Sequence, residues 1–521
     1  MQQRLSRSQS PLLLVSLSCA FLLVLHQSVL LCTAYSGHDQ AWYLFAAQRF
    51  LGGSALYGPY LADTNPPLIV WFSTVPVVLS RISHLSPILC LGLTVLVLLL
   101  ASAAWCLRIL GCAPATAPPS IRALIGLVIL IADFRIDLRD FGQREHLFVI
   151  FALPYLFAVA TNAVERLSLV ERCTIGLAAG IAVCFKPQHA LAFIAAELVL
   201  LIARRNLHRL ASPELLTLIG TCGIYLLAVH ILTPGYTAQI VPLLLDAYWA
   251  YGPFAALDLV LALKLYLLIT FATIVLTLAL FRFQRVALPV FVFVACSLAS
   301  MVAYVVQHTG WAYHRYPQRA FLILAICILL VNFAQPLIQR LDLFKVRPNV
   351  VFACLAATFL VPFWLALPHP QRSEADLILR NFKPPQTVYI FSTNVYWMSD
   401  VLDRHFEWGS RGPCLWLLPS IIQNEQGPAA QERNFKRLSP ERLAPLSSLQ
   451  RTQTTEDLNR FQPSLILVER CNQDHPCQAL EGRTFDMLPW FLESQDFAAV
   501  WSHYRRQPSS SSSFDLYTRV Q

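Results

Sequence analysis

Between residues 11 and 367 the chain is a succession of long apolar runs joined by short polar links. Inside a bilayer, backbone N–H and C=O groups find no water, so such runs fold as helices that satisfy their own hydrogen bonds. A helix needs about 20 residues to cross the hydrocarbon core. Candidate spans lie at 11–34, 66–82, 87–110, 121–134, 146–160, 173–185, 190–203, 212–232, 260–280, 287–306, 318–336 and 350–367. Several are short, which suits tilted or broken helices around an internal site. From residue 368 onward, charge and polarity return to soluble levels. The expectation is a polytopic α-helical membrane domain of about 11 to 13 spans, residues 1–367, followed by a soluble α/β domain, residues 368–521. In the latter, "TVYIFS" (387–392) and "SLILVER" (464–470) carry the β-branched content of strands. Ser509 to Ser513 reads as a hairpin or loop.

Charge sets the orientation. Only 13% of the 521 residues are charged, against roughly 25% in soluble domains. Much of the net +9 lies in short links such as Arg204-Arg205-Asn206-Leu207-His208-Arg209, where basic residues fix topology. No basic face with interleaved aromatics occurs in the tail, so nucleic acid is not an expected partner. Basic links at 204–209, at Arg282 and Arg285, and at Arg340–Arg347 are assigned to the cytoplasm. The links 135–146, 185–189, 233–257 and 307–317 then face outward, with the tail. Near the amino end the count closes only if one of 66–82 and 87–110 fails to cross, or if a span is missed or invented. "MQQRLSRSQS" is basic and the run after it exceeds a signal-peptide core, with no Ala-x-Ala site. It is expected to remain as an uncleaved first span. A bacterial inner membrane with a periplasmic tail is the expected location. Most of the 14 cysteines sit singly in apolar runs, as small hydrophobes do. Cys471 and Cys477, in "CNQDHPC", can close a disulfide loop if the tail faces an oxidising compartment.

The unusual chemistry collects in the outward links. Residues 35–67 read "YSGHDQAWYLFAAQRFLGGSALYGPYLADTNPP". Asp39 is the candidate base, because His38, Gln40, Trp42 and Tyr43 surround it with polar partners and an aromatic wall. A carboxylate in such a recess can take a proton from an attacking hydroxyl. The plain alternative is a solvated carboxylate, or a cap on a surface helix at 39–51. Lys186, in "AVCFKPQHAL", lies between two short apolar runs. A lysine at membrane depth is costly; it either snorkels to the interface or offers a point charge to a phosphate. Gln188 and His189 would add donors. In "DFRIDLRDFGQREH" a continuous helix would put Asp133, Asp137, Asp140 and Arg144 on one face, and a solvated, self-paired face is the alternative. Glu145 and His146 then enter the next span at the bilayer boundary. "HTGWAYHRYP" brings together His308, Trp311, Tyr313, His314, Arg315 and Tyr316. An interfacial aromatic belt accounts for its Trp and Tyr, not for two His and an Arg. His38, His146, His189, His308 and His314 are of a type that binds divalent metals, but no HExxH-like spacing supports it. The metal is left open and no other cofactor is named. Taken together, the set suits a ligand with a phosphate and a polyol, and a lipid tail would explain its place at the membrane.

Asp39 in the first outer loop, Asn65-Pro66-Pro67-Leu68 opening the next span, and "GLAAGIAVCFKP" ending in Lys186-Pro187 resemble the GT-C superfamily of membrane glycosyltransferases. The likeness is to the branch with protein O-mannosyltransferases and the lipid A aminoarabinose transferase. It covers about residues 1–200; beyond that it is architectural. In that branch the span opens Lys-Pro-Pro-Leu, so Asn65 is a departure that removes a cation from the donor phosphate. Asp137 or Asp140 would match a second acidic residue. The resemblance implies a polyprenyl-phosphate-linked sugar donor, transfer to a hydroxyl of a lipid, glycan or protein on the outer face, and inversion at the anomeric carbon. Asp39 would be the base, with Lys186, Arg144 and Arg315 on the donor phosphate. Candidate substrate contacts are His38, Gln40, Tyr43, Asn65, Asp137, Asp140, Glu145, His146, Gln188, His189, His308 and His314. A transporter or flippase of a lipid-linked or polar solute is the rival reading; it would favour paired repeats with broken helices, and no repeat is seen. A non-catalytic membrane scaffold is a second rival, and it has no need of Lys186 and His314 where they stand.

Overall fold

The computed structural model describes residues 2–114, 117–281, 287–341, 373–427, 435–480, 482–509 and 511–520. Arg282, Arg285, the expected span 350–367, the expected boundary at 367 and the link beyond Leu341 lie outside the described residues.

Each other expected span falls on a helix, except that 260–280 is divided between two. In chain order the α-helices of this domain are α1 (Gln2–Cys32), α2 (His38–Leu51), α3 (Leu68–Ser83), α4 (Pro87–Cys112), α5 (Pro119–Phe134), α6 (Arg144–Ala160) and α7 (Leu169–Phe185). There follow α8 (Ala190–Arg204), α9 (Pro213–Leu232), α10 (Val241–Ala247), α11 (Ala256–Ala262), α12 (Lys264–Phe281), α13 (Leu288–Val306) and α14 (Tyr316–Leu341). Among the described residues, six helices are long and apolar enough to cross a membrane, or seven if a pair bent by 59° around Tyr251 is one span. The chain is thus an integral, multi-pass membrane protein. Leu68–Ser83 is a shorter apolar helix, so the ambiguity at the amino end falls on α3.

The apolar sequence of α6 explains its place at the centre of the bundle. Every residue of it except Arg144 and Phe151 is buried, as expected of a helix that is hydrophobic all round. Helices α7 and α9 approach closely because Gly176 and Gly180 lie four apart. A Cβ on Gly176 would stand 2.2 Å from the Glu214 carbonyl oxygen, and one on Gly180 would stand 2.5 Å from Thr221 Cβ. Small residues at this spacing are the usual way for helices to meet in lipid.

The stretch 133–146 corrects one expectation. Asp133, Asp137, Asp140 and Arg144 do not share a helical face, because α5 ends at Phe134 and α6 begins only at Arg144. Between them Asp137 caps a short turn over Leu138–Asp140, accepting a hydrogen bond from the Arg139 amide at 2.9 Å. The helix is interrupted where Asp137 turns to extended backbone to cap the next turn and again where Gly142 takes φ +92°. Asp133 instead folds inward, fully buried, and accepts a hydrogen bond from the Tyr316 hydroxyl at 3.1 Å.

The soluble domain is a five-stranded sheet flanked by helices. Its strands are β1 (Thr387–Phe391), β2 (Glu407–Trp408), β3 (Leu465–Glu469), β4 (Tyr504–Gln507) and β5 (Phe514–Arg519), in the order β2-β1-β3-β5-β4. β1 pairs in parallel with β2 and β3, while β5 is antiparallel to β3 and β4. Both sequence-predicted strands are central. The serine-rich stretch joins β4 to β5 as a hairpin. Cys471 and Cys477 form the expected disulfide.

The two domains are bonded to one another. Ser36 donates to Asp403 at 2.8 Å, the Ala62 amide donates to the Arg411 carbonyl at 2.8 Å, and Arg49 donates to the Trp408 and Ser410 carbonyls. On the far side Asp246 pairs with Lys436 and Arg442, each at 3.1 Å.

Basic link 204–209 is more than a topology signal. Arg209 is buried, its Nη2 donating to Glu197 at 2.7 Å, and Tyr155 donates to the same carboxylate at 2.7 Å. Removing one partner of a buried pair leaves the other charge without compensation. Arg209→Met should therefore cost about 3 kcal/mol, read as thermal unfolding of the detergent-solubilised protein; an unchanged transition would mean that this network contributes no net stability.

Candidate active site

A cavity of about 380 Å³ lies between interhelical links of the membrane domain and the soluble domain. Asp39 lines it from the first turn of α2. That helix starts where it does because Gly37 lies against the 138–141 turn: a Cβ on Gly37 would stand 1.8 Å from the Arg139 carbonyl oxygen. Gln40 ties the two segments. Its Oε1 accepts from the Gly37 amide at 2.7 Å, and its Nε2 donates to the Phe141 carbonyl. Asp39 Oδ2 accepts a hydrogen bond from Gln143 Nε2 at 2.9 Å, and Oδ1 lies 3.7 Å from His38 Nε2. The carboxylate is thus oriented by two neighbours while still facing the cavity.

Arg139 and Arg144 bring positive charge to the same cavity, and Asp137 and Asp140 bring negative charge. The turn that delivers Arg144 passes through Gly142 at φ +92°, a conformation that side-chain-bearing residues rarely adopt. Burial raises the Asp140 carboxyl to about 7, helped by the neighbouring carboxylates of Asp137, Asp39 and Glu145. Asp63, just before Thr64 and Asn65 in the cavity wall, is buried and raised to about 6 by desolvation, with the Asn65 amide opposing. Asn65, which replaces the expected lysine, donates its side-chain amide to Asp63 at 3.0 Å. The aromatic wall consists of Trp42, Tyr248, Tyr251, Trp311 and Tyr313 from the membrane domain and Tyr396 and Trp416 from the soluble domain. Tyr396 meets the His38 ring edge-on at 4.7 Å.

Of the residues singled out from sequence, His38, Asp39, Asn65, Asp137, Asp140 and Arg144 line the cavity. Gln40 positions α2, and Tyr43 is packed behind it, 2% exposed. Lys186 is not in the lining. Its ammonium pairs with Glu145 at 2.6 Å and approaches His314 Nε2 at 3.3 Å, with all three side chains buried. His314 is held from its other nitrogen by Thr309 at 2.8 Å. His146 accepts from the Gly142 amide at 3.1 Å, and His189 stacks on Phe148 at 4.8 Å; both are fully buried. Gln188, His308 and Arg315 do not line the cavity either. His308 contacts the Phe254 carbonyl at 2.9 Å, and the Arg315 guanidinium lies 5.9 Å from the Tyr304 ring. The five histidines are therefore dispersed. Among the described residues no three His, Cys, Asp or Glu side chains come together in a way that could hold a metal ion.

Sequence reasoning missed Gln143, Asp63, Arg139 as a wall residue, and the whole soluble-domain wall. Gln143 stood within a quoted charge-dense run. The soluble-domain residues gave no local signal, because only folding brings them opposite Asp39.

No protein-family model and no curated protein matches the sequence. Among solved structures, ArnT from Cupriavidus metallidurans, bound to undecaprenyl phosphate, is similar over 97% of this chain and 98% of that one, with TM-score 0.50 and 12% identity. The oligosaccharyltransferase AglB from Archaeoglobus fulgidus, in complex with an inhibitory peptide and a dolichol-phosphate, matches over 97% of this chain and 74% of that one, with TM-score 0.46 and 12% identity. The first likeness establishes the class of fold. The chain has a GT-C-like membrane domain carrying a carboxy-terminal soluble domain, as the motifs of its first 200 residues led us to expect.

The raised Asp140 carboxyl has a consequence for stability. Its ordinary value is about 4, so the folded chain holds this proton more tightly than the unfolded one. The stability it contributes is complete below about pH 4 and is lost as pH rises through about 7. The wild-type melting temperature should fall across that window relative to Asp140→Asn, which lacks the titration. Parallel melting curves for the two proteins would remove Asp140 as the cause.

Proposed function

We propose that the protein is a membrane glycosyltransferase that moves a sugar from a polyprenyl-phosphate donor to an acceptor hydroxyl. The observation that carries this reading is the Asp39 carboxylate, oriented by Gln143, in one cavity with the Arg144 guanidinium. The GT-C-like fold, and the undecaprenyl phosphate bound to ArnT, support a lipid-linked donor.

In the proposed step Asp39 accepts the proton of the acceptor hydroxyl. The hydroxyl oxygen forms a new bond to the anomeric carbon from the side opposite the phosphate. The bond from that carbon to the phosphate oxygen breaks, its electron pair leaves with the lipid phosphate, and the configuration inverts. Arg144, with Arg139 beside it, stabilises the departing phosphate by fixed positive charge in a partly enclosed site. A phosphate leaving group needs little protonation, so one carboxylate suffices, in contrast to the two of glycoside hydrolysis. Lys186 acts at one remove: paired with Glu145, it neutralises charge beside Arg144 rather than touching phosphate.

The site lies on the outer face of a bacterial inner membrane, with the soluble domain in the periplasm. The Cys471–Cys477 disulfide supports that orientation, since such bonds persist in oxidising compartments. Basic residues in the 204–209 link support the same orientation.

Purified protein incubated with a panel of undecaprenyl-phosphate sugars should release sugar or transfer it, and Asp39→Asn should lower turnover by about 100-fold or more. Full activity in Asp39→Asn would sink the assignment. Arg144→Gln should weaken binding of undecaprenyl phosphate about tenfold, measured by competition with a labelled lipid phosphate. No donor binding across the panel would move the reading to a transporter.

A further inference from the structure

The cavity is chemically two-sided. Its charged lining residues, among them Asp39, Arg139 and Arg144, come from the membrane domain. The soluble domain supplies six lining residues, Val395, Tyr396, Pro413, Cys414, Trp416 and Gln478, and none is charged. Val395 and Tyr396 follow β1, Pro413 to Trp416 follow β2, and Gln478 follows β3. These are residues of the loops that leave the carboxyl ends of the three strands that run parallel. Crevices at those ends are where open α/β sheets bind small ligands.

The three loops are fastened together as a unit. The Leu415 amide donates to the Ser392 carbonyl at 2.8 Å, joining the loops after β2 and β1. Thr393 Oγ1 donates to the Gln478 carbonyl at 2.7 Å, joining the loops after β1 and β3. Ser392 donates to the buried Glu469 at the end of β3, and Trp397 Nε1 donates to Ser392 at 3.2 Å. Tyr251, from the membrane domain, donates to the Thr393 carbonyl at 2.8 Å and so docks the unit onto the cavity. A wall fastened in this way is preorganised for a ligand, whereas a passive cap has no need of it.

We propose that the soluble domain forms the acceptor half of the cavity and that the acceptor it holds is a neutral saccharide. This rests on the glycosyl-transfer reading. The donor phosphate belongs with the arginines, so the opposite wall faces the nucleophile. A charged acceptor group set against that wall would lose hydration without a compensating ion. A sugar ring is matched on both counts: its C–H face packs on Trp416 or Tyr396, and its hydroxyls bond to the Gln478 amide. Sites of this kind combine apolar walls with a few polar groups that fix orientation. The ring then presents one hydroxyl toward Asp39 across the cavity.

The test uses the full-length protein in lipid nanodiscs with methyl pyranosides of glucose, galactose and mannose, read by saturation-transfer NMR. Methyl glucuronide and glucose 6-phosphate serve as charged counterparts. Undecaprenyl phosphate binding is measured on the same samples. At least one neutral pyranoside should bind, and its signal should fall about tenfold in Trp416→Ala and in Gln478→Ala. Trp416→Phe should retain it, and Asp39→Asn should leave it in place. Undecaprenyl phosphate binding should be unaltered in the two wall variants, which shows that the cavity is still folded. Binding of no neutral pyranoside, preference for the charged sugars, or signals unchanged in both wall variants would overturn the proposal. Failure of the wild type to bind undecaprenyl phosphate would instead overturn the transferase reading, whatever the pyranosides do.

Discussion

Glu145 and Lys186 form a buried ion pair that, with His314, ties together three interhelical joints of the membrane domain. Removing each charge from water costs several kcal/mol, and only a close partner offsets it. The pair joins the first turn of α6 to the end of α7, and His314, 3.4 Å from Glu145, adds the turn before α14. Two of these joints also carry a residue into the cavity wall. Arg144 precedes Glu145, and Tyr313 precedes His314. Charge that looks like catalytic equipment in a sequence can thus be the fastening that sets neighbouring residues in place.

The cavity needs both domains. The membrane domain brings three carboxyl groups and two guanidinium groups to one place, where fixed charges act more strongly than in open water. The soluble domain closes the other side with aromatic and amide groups. Bonds from Ser36, Arg49, Ala62 and Tyr251 hold the two together along the rim. The cavity is thereby partly enclosed between the two domains.

Legibility in the sequence followed the range of each interaction. Asp39 stood out because polar His38 and Gln40 flank it in the chain and because aromatic residues crowd one short link, whereas its hydrogen-bond partner Gln143 is distant in sequence. The helices were readable because apolar runs in lipid have one way to satisfy their backbones. Lys186 was singled out correctly as unusual, but its role was not readable: Glu145 is 41 positions away. The face drawn through Asp133, Asp137, Asp140 and Arg144 failed because the cap at Asp137 and the positive φ at Gly142 interrupt the helix, which periodicity alone does not register. Dispersal of the five histidines was equally invisible, since burial beside Phe148 or Tyr316 depends on packing.

By itself, the sequence determined that this is a multi-pass helical membrane protein with a soluble α/β tail. Local hydropathy, β-branched runs and the Asp39 loop suffice for that, because secondary structure and membrane insertion are decided over a few turns of chain. Only the tertiary structure decided which charges face the cavity and which neutralise one another. It also decided that three loops of the soluble domain meet Asp39 across a shared space. Those outcomes turn on desolvation and pairing between residues hundreds of positions apart, such as Ser36 and Asp403, and no local pattern encodes such distances.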